Sequence, residues 1–431
     1  MAEATLPPLA AEARRLTLAG EWQAACEKLR QLISEVTGVQ ALDIVINQDQ
    51  YSLNSLNGRV ALADGRSLFF KYHHEEGEDQ TITEYYRATL LRNHGFSVDV
   101  PLYACGEPGR QILLYSLRDD RRLADVCYEI EAGRGDNTMA AVVAAQQEAD
   151  NAILAHTLPT LHSGTTADVE AEAIHQLFWH RLVSPGKPTG LGGRVAQFYV
   201  DQTFQLGEVS LTWNQLCHLH WRINGVNYAH SLRDLFLEAG QVLAPAALAH
   251  HGVVVAHGDA HNANVWYDTT GPSPRLVSFD PAFAGASIPA LLAEIKATFH
   301  NIFAHPCWLY EPQEAARRYQ VAVRVDGDTL VVDHNWSLTP LRAAFLTSKG
   351  DHYWQPLLAA LRARGSLPDN WQRIVRLGLF CCPTLVMNLR GGENSQHNPV
   401  SSALGLAVAV MLGSGGNDAF SQWLNGLLQE A

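Results

Sequence analysis

The stretch VVVAHGDAHNANVWYD, residues 253–268, with TTGPSP and RLVSFD behind it, constrains the fold more than any other part of the chain. An apolar run ends in eight positions that hold two histidines, one aspartate and two asparagines. The runs NVWYD and RLVSFD then flank a Gly/Pro turn, the pattern of an antiparallel hairpin. In such a hairpin the first residue of one strand lies beside the last residue of the other. Asn264 opens the first run and Asp280 ends the second, so the two are expected at one end of the hairpin, with Asp259 in the loop just before it. Oxygen donors grouped in this way suit a hard cation such as Mg2+, which takes few protein oxygens and fills its shell with water and phosphate.

Upstream, residues 8 to about 37 carry helical periodicity and close on a glycine, as in WQAACEKLRQLISEVTG. From about residue 41 the texture changes to short runs of branched and aromatic residues: LDIVINQ, GRVAL and SLFFKYH, with ADG as a turn between the last two. A helix is expected over TITEYYRATLLRNHG, then strands at VPLYACGE and RQILLYSL. Beyond Arg118 the chain reads as mostly helical to about residue 250, broken by the loop SPGKPTGLGG, and a later hairpin is expected at VAVRVDGDTLVVD. The expected organisation is a helical segment over 1–37, a small mixed sheet with one helix over 38–118, and a large helical part over 119–431.

Composition narrows the function classes. The net charge of -13 argues against nucleic acid as a partner, because phosphate binding needs clustered Lys and Arg. No apolar run reaches the roughly 18 residues that span a bilayer; LGLAVAVMLG reads as a buried helix, and no membrane partner is expected. Seven cysteines with no C-x-x-C suggest reduced thiols, and the N-terminus lacks a signal-peptide pattern, so a cytoplasmic protein is expected. Lysine is scarce: Lys28, Lys71, Lys187, Lys296 and Lys349 are the full set, which makes each position more informative.

The segment HGDAHNAN followed by SFD resembles the catalytic segment of the aminoglycoside phosphotransferase and choline kinase family, within the protein-kinase-like superfamily. The resemblance implies an α+β, two-lobed fold, with a small sheet-bearing N-lobe, a large helical C-lobe and extra N-terminal helices. It implies transfer of the γ-phosphoryl group of ATP or GTP to a hydroxyl of a small metabolite or antibiotic, such as a sugar, amino sugar, aminoglycoside or amino alcohol. Asp259 would position and deprotonate that hydroxyl, while Asn264 and Asp280 would hold Mg2+ on the phosphates; His257 and His261 would shape the loop. Lys71 would meet the phosphates and Glu84 would orient it. Backbone groups near Tyr115 and Leu117 would read the base. Ser55 and Asn57, in YSLNSLNGRV, are the candidates for covering the phosphates without a glycine-rich loop.

The pattern departs from the family at Pro281, directly after Asp280, and at Glu294, which stands at a shifted place where relatives have an acidic residue opening a helix. Two other readings stay open on the sequence. One is a kinase-like binding module without activity. The other is a metallohydrolase that uses His257, Asp259 and His261 on zinc or manganese.

Overall fold

The computed structural model describes residues 7–47, 55–73, 80–135, 138–184, 186–187, 189–393 and 395–428, and the chain divides into two units. The first runs to Asp120 and takes in Val277–Ala282 from far downstream. Helices α1 (Leu9–Leu18) and α2 (Trp22–Thr37) lead into strands β1 (Ala41–Ile46), β2 (Ser55–Leu62) and β3 (Ser67–His73). Helix α3 (Gln80–Asn93) follows, then β4 (Tyr103–Cys105) and β5 (Ile112–Ser116). The sheet order is β1-β2-β3-β5-β4, and where a mixed sheet is expected from the sequence all four pairings are antiparallel. The α3 connection does return β4 in the direction of β3, but β5 lies between them and runs opposite to both.

The N-terminal helices belong with this sheet rather than forming a segment of their own. Amphipathic α2 buries Ala25, Leu29, Leu32 and Ile33, and that face shares one core with Leu56, Val60, Phe70 and Leu114. The downstream segment joins through Ser278, whose N–H donates to the Ser97 carbonyl at 3.0 Å and whose carbonyl accepts from Asp99 N–H at 2.8 Å. The expected boundary near residue 118 therefore does not keep residues 277–282 with the helical part.

The second unit holds Arg121–Leu276 and Phe283–Ala431. Its core is built on buried helices, chiefly Trp371–Val386 and Pro399–Ser414, the second carrying the apolar run LGLAVAVMLG. The strand Val253–Ala256 is buried throughout and pairs antiparallel with Gly285–Pro289. The region read as helical up to residue 250 also carries strands at Thr203–Leu206, Val209–Thr212, His220–Ile223 and Val226–Tyr228. Asn224 and Gly225 both have positive φ, 48° and 83°, which is what a two-residue hairpin turn demands. That Asn-Gly pair is a hairpin signal which the helical reading passes over. The expected hairpin over Val321–Asp326 and Thr329–His334 forms, and its second strand pairs parallel with His220–Ile223.

Two buried cations of this unit, Lys349 and Arg342, are matched to carboxylates. Lys349 Nζ lies 2.5 Å from Asp150 and 3.0 Å from Glu294, and Arg342 grips Glu131 with two nitrogens at 2.9 and 3.0 Å. Glu294 is therefore a structural partner of Lys349. His175 is fully buried, and burial pushes its pKa down to about 4. Folding thus excludes a proton that the unfolded chain binds below about 6.5. The stability contributed by neutral His175 is complete above that value and is lost as pH falls toward about 4. In His175→Phe, the slope of unfolding free energy against pH in this window should flatten by up to about 1.4 kcal/mol per pH unit. Denaturant titrations at several pH values measure it, and an unchanged slope would show that His175 does not titrate on unfolding.

Candidate active site

In the first unit, β3 ends by presenting Lys71 and α3 presents Glu84. Lys71 Nζ donates to Glu84 Oε2 at 3.0 Å and to Asp280 Oδ1 at 2.8 Å. Burial alone would lower the lysine pKa, but the charges of Glu84 and Asp280 outweigh it and hold the ammonium above the ordinary lysine range. Tyr115, on β5 beside β3, donates its hydroxyl to Glu84 Oε1 at 2.5 Å, so both carboxylate oxygens of Glu84 are engaged. Burial and then the charge of Glu84 push the Tyr115 pKa well up, so it stays a donor. Glu84 has a side chain 4% exposed, whereas that of Asp280 is 38% exposed. Of the two carboxylates on Lys71, Asp280 is the more exposed. Asp280 also takes φ of 55°, a left-handed conformation that Asp tolerates better than most residues. The following Pro281 disfavours a right-handed helical backbone at that position.

Two other candidates of this unit are engaged within the sheet, and for a third the backbone alone is described. Asn57 is a strand residue in register with Lys71, and its Oδ1 accepts from Asn47 Nδ2 at 2.8 Å. Its amide oxygen thus fastens two stretches of the sheet. Of Ser55 the backbone alone is described, in β2 opposite His73, and residues 51–54 of the candidate loop lie outside the described residues. The Leu117 N–H, a candidate for reading the base, donates to the Ser67 carbonyl at 3.3 Å and extends the sheet.

In the second unit the loop after Val253–Ala256 is shaped by short-range bonds. Gly258 has φ of 77°, and a Cβ there would stand 2.8 Å from the Phe283 carbonyl oxygen and 2.9 Å from the Ile174 side chain. Only glycine fits that turn. His257 Nδ1 accepts from Asp259 N–H, and His261 Nδ1 from Ala263 N–H, both at 3.3 Å. The two histidines thus shape the loop, and the described residues contain no group of three His, Cys, Asp or Glu side chains placed to hold a metal. Asn264 closes a short 3-10 turn, Asn262–Asn264, directly before the strand Val265–Asp268. Its Nδ2 donates to the Asp259 carbonyl at 3.1 Å, which leaves Oδ1 as the end of the amide able to meet a cation. Asp280 lies two residues past its strand, Arg275–Ser278, rather than at its last position.

Sequence reading passes over a group beside Asp259. Lys296 Nζ lies 4.0 Å from Asp259 Oδ1 and 3.0 Å from His300 Nε2. His300 rises from the π-helix Phe299–Phe303, and its Nδ1 is 2.6 Å from the Tyr310 hydroxyl. Burial, then Lys296 and His261, hold His300 well below the usual histidine pKa, so it is neutral. The ammonium must donate to Nε2, so the ring proton sits on Nδ1 and points to Tyr310. The scarcity of lysine was the one sequence signal for this group.

Chemically, Asn264 and Asp280 supply oxygens of the kind Mg2+ takes. Asp259 supplies a carboxylate, and Lys71 a cation held in place by two partners.

No protein-family model matches the chain, and no curated protein does either. Among solved structures, the GDP and kanamycin complex of APH(2")-IIia is 13% identical and covers 88% of this chain and 97% of its own, with a TM-score of 0.42. A macrolide 2'-phosphotransferase from Brachybacterium faecium is 13% identical, covers 91% and 98%, and has a TM-score of 0.39. The microcompartment-associated aminopropanol kinase is 12% identical, covers 89% and 94%, and has a TM-score of 0.38.

The buried bond from Tyr115 to Glu84 is open to direct measurement. Tyr115→Phe removes one donor from a carboxylate that cannot replace it with water, so it should destabilise the protein by about 1–3 kcal/mol. Urea unfolding tests this, and a variant as stable as the parent would show that the bond contributes nothing.

Proposed function

We propose that this protein is a small-molecule kinase, moving the γ-phosphoryl group of ATP or GTP to a hydroxyl of a small acceptor with Mg2+ as the metal. The observation that carries the reading is Lys71, an ammonium bonded at once to a buried helix glutamate and to the more exposed Asp280. A surface lysine needs neither partner. A lysine that must keep its charge and its position against phosphates needs both. The ordered sequence His-Gly-Asp-x-His-x-x-Asn, with Asn264 tied to the backbone of Asp259, supports the same reading.

In this reading Glu84 and Tyr115 hold Lys71 in place, and Lys71 neutralises phosphate charge. Asp259 orients the acceptor hydroxyl and takes its proton, which then passes to solvent. The acceptor oxygen forms a bond to the γ-phosphorus as the bond from that phosphorus to the β–γ bridging oxygen breaks, and the nucleoside diphosphate leaves. Asn264 and Asp280 are the residues that would hold Mg2+, which when bound neutralises developing charge on the phosphates. Catalysis in this scheme is positioning and charge compensation, both set before the substrates meet.

Two variants separate the roles. Asp259→Ala should lower turnover by about a hundredfold to ten-thousandfold with Mg-nucleotide affinity nearly kept. Asp280→Ala should weaken Mg-nucleotide binding itself, by at least the roughly 10–100-fold that loss of a supporting partner costs a metal site. Diphosphate release and nucleotide-induced thermal shifts read the two effects. Wild-type rates in Asp259→Ala would sink the mechanism. A protein that neither shifts with Mg-ATP or Mg-GTP nor hydrolyses them would instead be a binding module.

A further inference from the structure

One buried lysine of the second unit stops short of the carboxylate it faces. Lys296 sits on the short helix Ile295–Thr298 with a side chain only 5% exposed, and its Nζ stands 4.0 Å from Asp259 Oδ1. Other buried pairs of the same unit are in contact: Lys349 meets Asp150 and Glu294 at 2.5 and 3.0 Å, and Arg342 meets Glu131 at 2.9 and 3.0 Å. Lys296 instead donates to His300 Nε2 at 3.0 Å. A buried ammonium is ordinarily paired with an anion, so a bond to a neutral ring, with a carboxylate just out of reach, needs a cause.

The surroundings fix that gap from both sides. His300 lies on the π-helix Phe299–Phe303, an irregularity frequent at functional sites. Its Nδ1–H points to the Tyr310 hydroxyl at 2.6 Å, so the ring presents Nε2 to the ammonium as a fixed acceptor. The next residue of the same π-helix, Asn301, accepts from Asn262 N–H at 2.7 Å and so holds the loop just past the aspartate. Arg342 in turn donates to the Asn301 carbonyl at 2.9 Å. One π-helix thus sets the position of the ammonium and of the loop it faces. His261 Nε2 stands 3.9 Å from the same Asp259 Oδ1, but its Nδ1 accepts a backbone N–H, so that ring is neutral and Lys296 brings the charge. An oxygen about 2.6 Å from Oδ1 and about 2.8 Å from Nζ bridges the 4.0 Å at an angle of about 95°, near what a hydroxyl offers between its proton and a lone pair. A carboxylate oxygen accepts more than one donor, so other bonds to Asp259 do not bar this one.

We propose that Lys296 is a second catalytic residue of this site, its ammonium donating to the attacking oxygen while Asp259 holds that oxygen's proton. This rests on the reading of Asp259 as the group that receives the acceptor. As Asp259 takes the proton, the oxygen gains negative charge and bonds to the γ-phosphorus. The bond from that phosphorus to the β–γ bridging oxygen breaks, and its electron pair leaves on the nucleoside diphosphate. Lys296 gives no proton away; it neutralises charge where the attacking oxygen gathers it. His300 is a positioning residue, which keeps the ammonium from closing onto the aspartate.

The test uses the full chain with water as the attacking oxygen. Diphosphate release from Mg-ATP and from Mg-GTP is followed without added acceptor. Affinity for the Mg-diphosphate is measured with and without aluminium fluoride, which imitates a phosphoryl group in transfer. Lys296→Met keeps much of the side chain's length and loses its charge. In it, release and the tightening by aluminium fluoride should each fall about a hundredfold to a thousandfold, with affinity for the Mg-diphosphate alone within about twofold of the parent. In Lys296→Ala, ethylammonium should restore part of the release, and tetramethylammonium, equally charged but without an N–H, should not. His300→Phe should slow release, and adding it to Lys296→Met should slow it no further, because it acts through the lysine. A merely structural lysine would lower nucleotide affinity in step with turnover and respond to both amines alike. Turnover in Lys296→Met within about threefold of the parent, a parallel loss of diphosphate affinity, or a failure of ethylammonium to rescue beyond tetramethylammonium each overturns the proposal. So does an unmodified protein that binds the Mg-diphosphate with neither release nor tightening. An additive loss in the double variant removes the positioning role of His300. Failure of the kinase reading looks different: no nucleotide binding and no hydrolysis in the unmodified protein.

Discussion

The ammonium of Lys71 is the point on which the first unit turns. It ties a strand, a helix and a segment that returns from more than two hundred positions downstream, through Glu84 at 3.0 Å and Asp280 at 2.8 Å. A buried ion pair is weak evidence of stability by itself, because desolvation offsets much of the attraction. Its use is in specifying geometry. With Tyr115 holding the second oxygen of Glu84, the lysine has one place to be, and the more exposed carboxylate beside it belongs to Asp280. The positive φ at Asp280 is consistent with a backbone kept in a less favoured conformation for the sake of where that carboxylate lies.

The loop that carries Asp259 is ordered in another way, by contacts between neutral groups. Two histidines accept backbone N–H groups, a glycine lets the chain approach Phe283, and Asn301 accepts from Asn262 N–H at 2.7 Å. Charge enters beside Asp259 from elsewhere in the second unit, from Lys296. The division has a physical sense. Hydrogen bonds between neutral groups set shape with little long-range field, while a cation from another element sets the charge beside the aspartate.

Much of this was legible in the residues. The spacing of Asp259, Asn264 and Asp280, the lysine closing a branched and aromatic run, and the glutamate on the next helix all depend on local order in the chain. The Asn224-Gly225 turn was equally legible, but lies in a region whose composition reads as helical. Other features were hidden for a reason. Asn57 reads as loop chemistry until register places it opposite Lys71 and beside Asn47, and Leu117 reads as a hinge until its N–H is found on Ser67. Register and pairing are long-range facts, and a side chain's partner cannot be read from its neighbours in sequence.

What the sequence alone determined was the order of chemical groups: a carboxylate and an amide in a loop behind a buried strand, an aspartate after a hairpin, a scarce lysine upstream. These follow from periodicity and turn chemistry, which act over a few residues. The tertiary structure alone decided which groups meet. It put Val277–Ala282 with the first unit, set Tyr115 on Glu84, and brought Lys296, His300 and Tyr310 to Asp259. Electrostatic partners are chosen by distance in space, and only folding sets that distance.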